Sequence, residues 1–263
     1  MAAIHPSAGH WFLGGEPLDG IVLGIYLASV FFGGIVSGLA GFAMGLVVSG
    51  LWLHILTPEQ SAGLIVGYGI LVQTYSIWTL RHALRWRTVA PFIIGGAIGV
   101  PVGAASLDFI DPAHLRIGVG LLLLVYSTYS LALPHLKPIK AGVTVDAGVG
   151  VLNGLLAGMT GLAGPFITIW CQLRGWPKDK QRAIFQPVIL AAFMLTALSL
   201  AITGAIDAEM IKLYVYGLPF LAAGVWTGLK LYGHLDDEAF RKLILVLLLI
   251  SGIVLIAPEL FSQ

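Results

Sequence analysis

The sequence predicts an all-helical integral membrane fold built from two repeats, and three observations carry the prediction. Of 263 residues, 58% are hydrophobic and only 10% are charged, against about 25% charged in a soluble domain. Apolar runs repeatedly reach or pass the ~18 residues that mark a membrane span. Glycine-centred blocks recur at a nearly fixed offset along the chain. The net charge of +1 gives no basic face for nucleic acid. Scattered histidines and the lone Cys171 exclude a disulfide framework and a thiolate zinc site, so no cofactor is expected. Residues 1–19 lack the basic start of a cleaved signal peptide, so the first apolar segment is expected to stay.

The apolar segments are 20–56, 61–80, 89–107, 114–133, 141–173, 183–203, 212–231 and 243–256. Six of them fit one crossing each. Segments 20–56 and 141–173 are too long: as continuous helices they would measure roughly 50 Å, against a hydrocarbon core of about 30 Å. Glycines interrupt both near the middle, in Gly33-Gly34-Ile35-Val36-Ser37-Gly38-Leu39-Ala40-Gly41-Phe42 and from Asn153 through Gly158 and Gly161 to Gly164-Pro165. Glycine allows backbone angles that a helix does not hold, and Pro165 suits the first turn of a new helix. Both segments therefore read as helix–break–helix.

The breaks belong to an internal repeat. An offset of 120 brings Gly34, Gly38 and Gly41 onto Gly154, Gly158 and Gly161. An offset of 125 brings Gly99, Gly103, Asp111 and Arg116 onto Gly224, Gly228, Asp236 and Arg241. Two repeats follow, 1–136 and 137–263, each a hairpin (20–56 or 141–173) plus three spans in one transmembrane domain.

Topology follows from the basic residues, which crowd cytoplasmic loops. If both broken segments cross, Lys and Arg divide almost evenly between the two sides. If both re-enter, 12 of the 14 basic residues share one side and only Arg116 and Lys212 face the other. Re-entrant hairpins are thus expected. With three crossings in each half, the halves are inverted, and both termini lie outside the cytoplasm. Long, tilted, kinked spans are the competing reading.

Irregular backbone at membrane depth must be buried in protein or line a wet cavity, so the breaks are the candidate site. Helices restarting after Gly41-Phe42 and after Gly164-Pro165 would aim unpaired N–H groups at a shared gap, which suits a small anion. Ser37 and Thr160 could add hydroxyl donors. Ser37, Gly38, Gly41, Phe42, Thr160, Gly161, Gly164, Pro165 and Gln186 are the candidate substrate-binding residues. The competing reading of each glycine is helix packing, and of each hydroxyl a bond to its own helix. Gln73 and Asn153 read as interhelical staples. Trp52, Trp86, Trp176 and Tyr232 read as an interfacial aromatic belt, and 174–182 as a solvated basic cluster. Carboxylates stay at segment ends or loops, with Asp146 nearest the interior. That distribution leaves no evident proton-carrying acid, cation path or aspartyl-protease pair. No HExxH occurs, so no metalloprotease site is expected.

At the two breaks the sequence resembles the sulfite exporter (TauE/SafE-type) family of bacterial permeases. The likeness lies in GGIVSGLAGFAMGLV (33–47), GVLNGLLAGMTGLAGPFITIW (150–170) and the basic stretch 178–182. The first block departs from the family in reading GFAMG where a glycine-richer turn is common. The resemblance implies a carrier of sulfite, an organosulfonate or a similar small anion in the bacterial inner membrane. It also implies export, with protons or a counter-anion as coupling partners. The lipid bilayer is the other partner, nucleic acid is not, and homo-oligomerisation stays open. A passive channel for a small neutral or weak-acid solute is the alternative function.

Overall fold

The computed structural model describes residues 20–105, 112–132, 138–160, 163–203 and 208–261, and the structural statements below refer to these. They form ten helices: α1 (Gly20–Ala40), α2 (Met44–Ile55), α3 (Pro58–Thr79), α4 (Trp86–Ala105), α5 (Pro112–Ala132), α6 (Val143–Thr160), α7 (Pro165–Leu173), α8 (Lys178–Thr203), α9 (Ala208–His234) and α10 (Asp237–Phe261). The long segments resolve into α1–α2 and α6–α7, and each of the other six apolar segments is one helix. No strand occurs among the described residues. α1, α4, α8 and α9 are long and apolar enough to cross a membrane.

Local chemistry sets several boundaries. Thr57 and Gln60 form a reciprocal capping box at the start of α3, with Pro58 as its first residue. Pro165 is likewise the first residue of α7, which has no side-chain cap. The breaks are narrower than the glycine stretches suggested: α1 stays helical through Gly33, Gly34, Ser37 and Gly38 and ends at Ala40. The reason is that these glycines serve packing. A Cβ on Gly38 would lie 2.6 Å from the Val225 carbonyl oxygen, and one on Gly228 would lie 2.2 Å from that of Ile35. On the other helix pair, a Cβ on Gly99 would lie 2.3 Å from the Val151 oxygen, and one on Gly154 would lie 2.6 Å from the Gly96 oxygen. Side chains at these positions would hold the backbones apart, so glycine is what lets α1 meet α9 and α4 meet α6.

These contacts advance together along both partners. Gly34 meets Leu221–Val225 and Gly38 meets Val225–Leu229; Gly95 meets Ala147–Val151 and Gly103 meets Leu155. α1 and α9 are therefore parallel, as are α4 and α6. α5 and α10 are antiparallel, with Gly120 against Gly252 and Ile256 while Arg241 donates to the Ser130 carbonyl. α3 packs on α8.

Large apolar side chains point outward over much of the surface, among them Ile21, Phe32, Ile94, Ile202 and Trp226. Arg182, Gln186, Gln73 and Asn153 lie inside. That distribution suits lipid as the surrounding solvent. The buried apolar side chains form two clusters. One joins α1–α3 to α9, through Tyr26, Trp52, Tyr68 and Leu213. The other joins α4–α8 and α10, through Phe92, Leu123, Phe185 and Phe240.

Candidate functional site

Both hairpins turn back along their first helix. In the first, Met44 and Val48 pack at Gly33, and Trp52 Nε1 donates to Ser29 Oγ at 2.7 Å. In the second, Ile167 N donates to Asn153 Oδ1 at 3.4 Å and Trp170 Nε1 to Asp146 Oδ1 at 2.8 Å. Ile139 N then donates to the Leu173 carbonyl at 2.9 Å, so the base of this hairpin closes on itself. Arg174 Nη1 donates to the Ala141 carbonyl at 2.7 Å and lies 3.6 Å from Asp146 Oδ1. Trp52 was expected at the membrane interface; Ser29 gives its indole a partner inside instead.

The first tip turns at Gly41, whose φ of +92° is a left-handed conformation that a Cβ disfavours. Its N–H donates to the Ser37 carbonyl at 2.7 Å. Two further carbonyls at this end of α1 find partners on other helices. Gly38 O accepts from Arg182 Nη1 at 2.9 Å, and Gly41 O accepts from Gln73 Nε2 at 2.8 Å. A C-terminal helix end carries partial negative charge, so a guanidinium is a favourable cap there. Phe42 packs edge-on against Phe185, with ring centroids 5.9 Å apart.

The second tip begins α7 at Gly164-Pro165, with Thr168 N donating to the Gly164 carbonyl at 2.9 Å. The two tips meet. A Cβ on Gly164 would lie 3.3 Å from Ile189 Cδ1 and 3.8 Å from Phe42 Cδ2. α8 runs past both tips and presents Arg182, Phe185, Gln186 and Ile189 to them. The Gln73 Oε1 and Thr168 Oγ1 atoms are buried with no hydrogen-bond partner among the described residues.

The structure therefore brings together Gly38, Gly41, Phe42, Gly164, Pro165 and Gln186. Ser37 is buried within α1, one turn before the break that was expected to contain it. Thr160 ends α6, and its side chain and Gly161 lie outside the described residues.

Arg182 lies far from where the sequence predicts it. It was assigned to a solvated cluster and is fully buried. Its guanidinium lies over the Tyr232 ring at 4.3 Å, and Tyr232 in turn donates to Asp179 Oδ1 at 2.5 Å, which buries the phenol expected in the aromatic belt. One signal could have found it. Arg182 and Gln186 are four residues apart and share a helix face. With its oxygen turned toward the guanidinium, the Gln186 carboxamide accepts from Nε at 3.0 Å and Nη2 at 2.8 Å. The opposite orientation would set its NH₂ against those donors. The cavity of about 520 Å³ between α3 and α9 lies elsewhere, lined by apolar residues such as Leu71, Val72, Leu218 and Val225.

A family described as sulfite exporter TauE/SafE matches residues 26–255, a stretch that contains both hairpin tips and all but the ends of α1 and α10. The chain belongs to the sulfite exporter TauE/SafE family. It is similar to the probable inner membrane transporter protein TsaS of Comamonas testosteroni, at 28% identity over 179 residues, which is 65% of this chain and 72% of that protein. No solved structure matches. As a member of the TauE/SafE family the chain is a membrane transporter, and the hairpin tips are its candidate substrate site.

Proposed function

We propose that this transporter is a secondary carrier, in the exporting direction, of a small sulfur-containing anion such as sulfite or an organosulfonate. The anion binds between the two helix breaks near the membrane midplane. The observation that carries the reading is the meeting of the tips, with Phe42 against Gly164 where α2 and α7 begin. Two short helices then direct the positive ends of their dipoles toward one place, which favours an anion, while Ile167 N of α7 is already bonded to Asn153 Oδ1. The tips pack in contact, as an occluded carrier site requires, and not around an open pore. The names of the family and of the Comamonas relative support, respectively, a sulfur anion and an inner-membrane location.

The two-repeat plan is supported by how the helices pair. Exchange α1–α5 with α6–α10 in order, and α1 on α9 becomes α6 on α4, while α3 on α8 and α5 on α10 map onto themselves. The closed base of the second hairpin, Ile139 to Leu173, supports re-entry. In this reading 1–136 and 137–263 are inverted repeats, and the termini lie outside the cytoplasm. Alternating access then moves mixed bodies, because the α1–α3 cluster holds α9 from the other half. Cysteines placed singly at Pro138 and Lys178, in a Cys171→Ala background, are expected to react with an impermeant thiol reagent from the same side. Labelling from opposite sides would rule re-entry out.

The function itself is tested by thermal shift of the purified protein against sulfite, thiosulfate, sulfoacetate, acetate and glycerol. A ligand at 100 times its Kd adds about 2.7 kcal/mol of stability. Stabilisation confined to the sulfur anions is the expected outcome, followed by saturable counterflow in proteoliposomes. A flat response to every anion, or linear flux without counterflow, would overturn the reading.

A further inference from the structure

Arg182 is the one candidate at the tips that carries a full charge, and its surroundings are unusual for a buried cation. Its side chain is 0% exposed. Its contacts are the Gly38 carbonyl, the Gln186 carboxamide and the Tyr232 ring, all neutral. No carboxylate lies within 4.0 Å of it among the described residues; Asp179, linked through the Tyr232 hydroxyl, acts on it only from farther off and is itself half-exposed, so its counter-charge is partial. A charge taken out of water costs several kcal/mol unless a counter-charge compensates it. In the membrane interior an ionisable side chain in that position marks a ligand path.

Resting on the anion-carrier reading, we propose that Arg182 is the charge partner of the transported anion, which takes the place of Gln186 on the guanidinium. The Nε and Nη2 donors, now both on the single carboxamide oxygen, form the edge that binds two oxygens of an oxyanion side by side. Nη1 stays on the Gly38 carbonyl, so the loaded guanidinium still holds the end of α1. The displaced Gln186 carboxamide can turn its NH₂ toward the same anion. Gly41 makes the exchange possible at the tip, because its bare Cα leaves room for both side chains. A Cβ there would lie 2.8 Å from the carboxamide and 3.2 Å from Arg182 Nε. The arrangement selects oxyanions such as sulfite and alkylsulfonates over halides, since a spherical ion uses the fork no better than a point charge.

Gln186→Glu and Arg182→Lys test this, with sulfite, methanesulfonate and chloride as probes and thermal-shift titration as the readout. The first substitution sets a permanent carboxylate where the anion would sit. Gln186→Glu is expected to fold with unreduced melting temperature and to bind sulfite and methanesulfonate about 100-fold more weakly. Arg182→Lys keeps the charge and loses the fork, so oxyanion affinity is expected to fall about tenfold while chloride binding is unchanged. If the arginine only braces the hairpin, both variants shift melting temperature and leave anion affinity and selectivity alone. That result overturns the proposal and spares the carrier reading. Should Gln186→Glu not fold, Arg182→Lys decides by its oxyanion-to-chloride selectivity. Wild-type protein that binds none of the anions overturns both.

Discussion

Gly99→Ala is expected to lower the melting temperature by about 4–8 °C, while Gly96→Ala on the same helix leaves it unchanged or raises it. The added methyl at Gly99 would stand 2.3 Å from the Val151 oxygen, 2.8 Å from Leu155 N and 3.1 Å from Gly154 C. All three are backbone atoms of α6, so no side chain can swing aside. The helices must part by about 1 Å, and overpacking of that kind costs about 3 kcal/mol. Better helix propensity returns about 1 kcal/mol of it. At Gly96 the nearest atom is the Gly150 oxygen at 3.8 Å, an ordinary contact, so only the propensity gain remains. Melting curves of the two purified variants check the pair, and equal behaviour would show that close backbone approach does not hold α4 on α6.

Gly41→Ala is expected to reduce counterflow and anion affinity by at least tenfold, with a smaller effect on folding. A residue with a side chain loses about 1–2 kcal/mol in a left-handed conformation. In addition, the new methyl would press on the Gln186 carboxamide at 2.8 Å and on Phe185 Cε2 at 2.9 Å. Those atoms belong to flexible side chains, so the tip survives by moving them, and the site geometry changes. Displacement of about 1 Å at a binding constellation costs on the order of 100-fold. Gly24→Ala, with no atom within 4 Å of the added Cβ, is the control. Transport per folded molecule in proteoliposomes is the measurement; activity matching the control would show that the first tip takes no part in transport.

The helices were legible because their signals are local. Each of the eight apolar segments maps onto one helix or one hairpin, and Pro165 marks the start of α7. What the sequence does not separate is the two uses of glycine. Gly38 and Gly41 look alike in a string of residues, yet one lies against α9 and the other makes a left-handed turn. The difference is set by a helix that begins at Ala208. The same distance hid Arg182. A cation four residues into α8, beside Lys178 and Lys180, reads as solvated. Its burial is made by Gly38 and Tyr232, 144 residues before it and one turn from the end of α9. Trp52 was misread for a like reason, since Ser29 as its partner is visible only once α2 folds back along α1.

The parallel seating of α1 on α9 sets a constraint on how the protein is made. α9 leaves the ribosome about 190 residues after α1, a delay of roughly 10–40 s at ordinary rates of synthesis. During that interval the face of Gly34 and Gly38 stands open to lipid, or to whatever helix the insertion machinery offers. α4 waits for α6 over a much shorter stretch of chain. The second interlock therefore forms first, and the α1 interlock closes only when the nascent chain is nearly finished. A truncated product lacking α9 would leave the membrane with an unpaired glycine face, a natural handle for quality-control proteolysis.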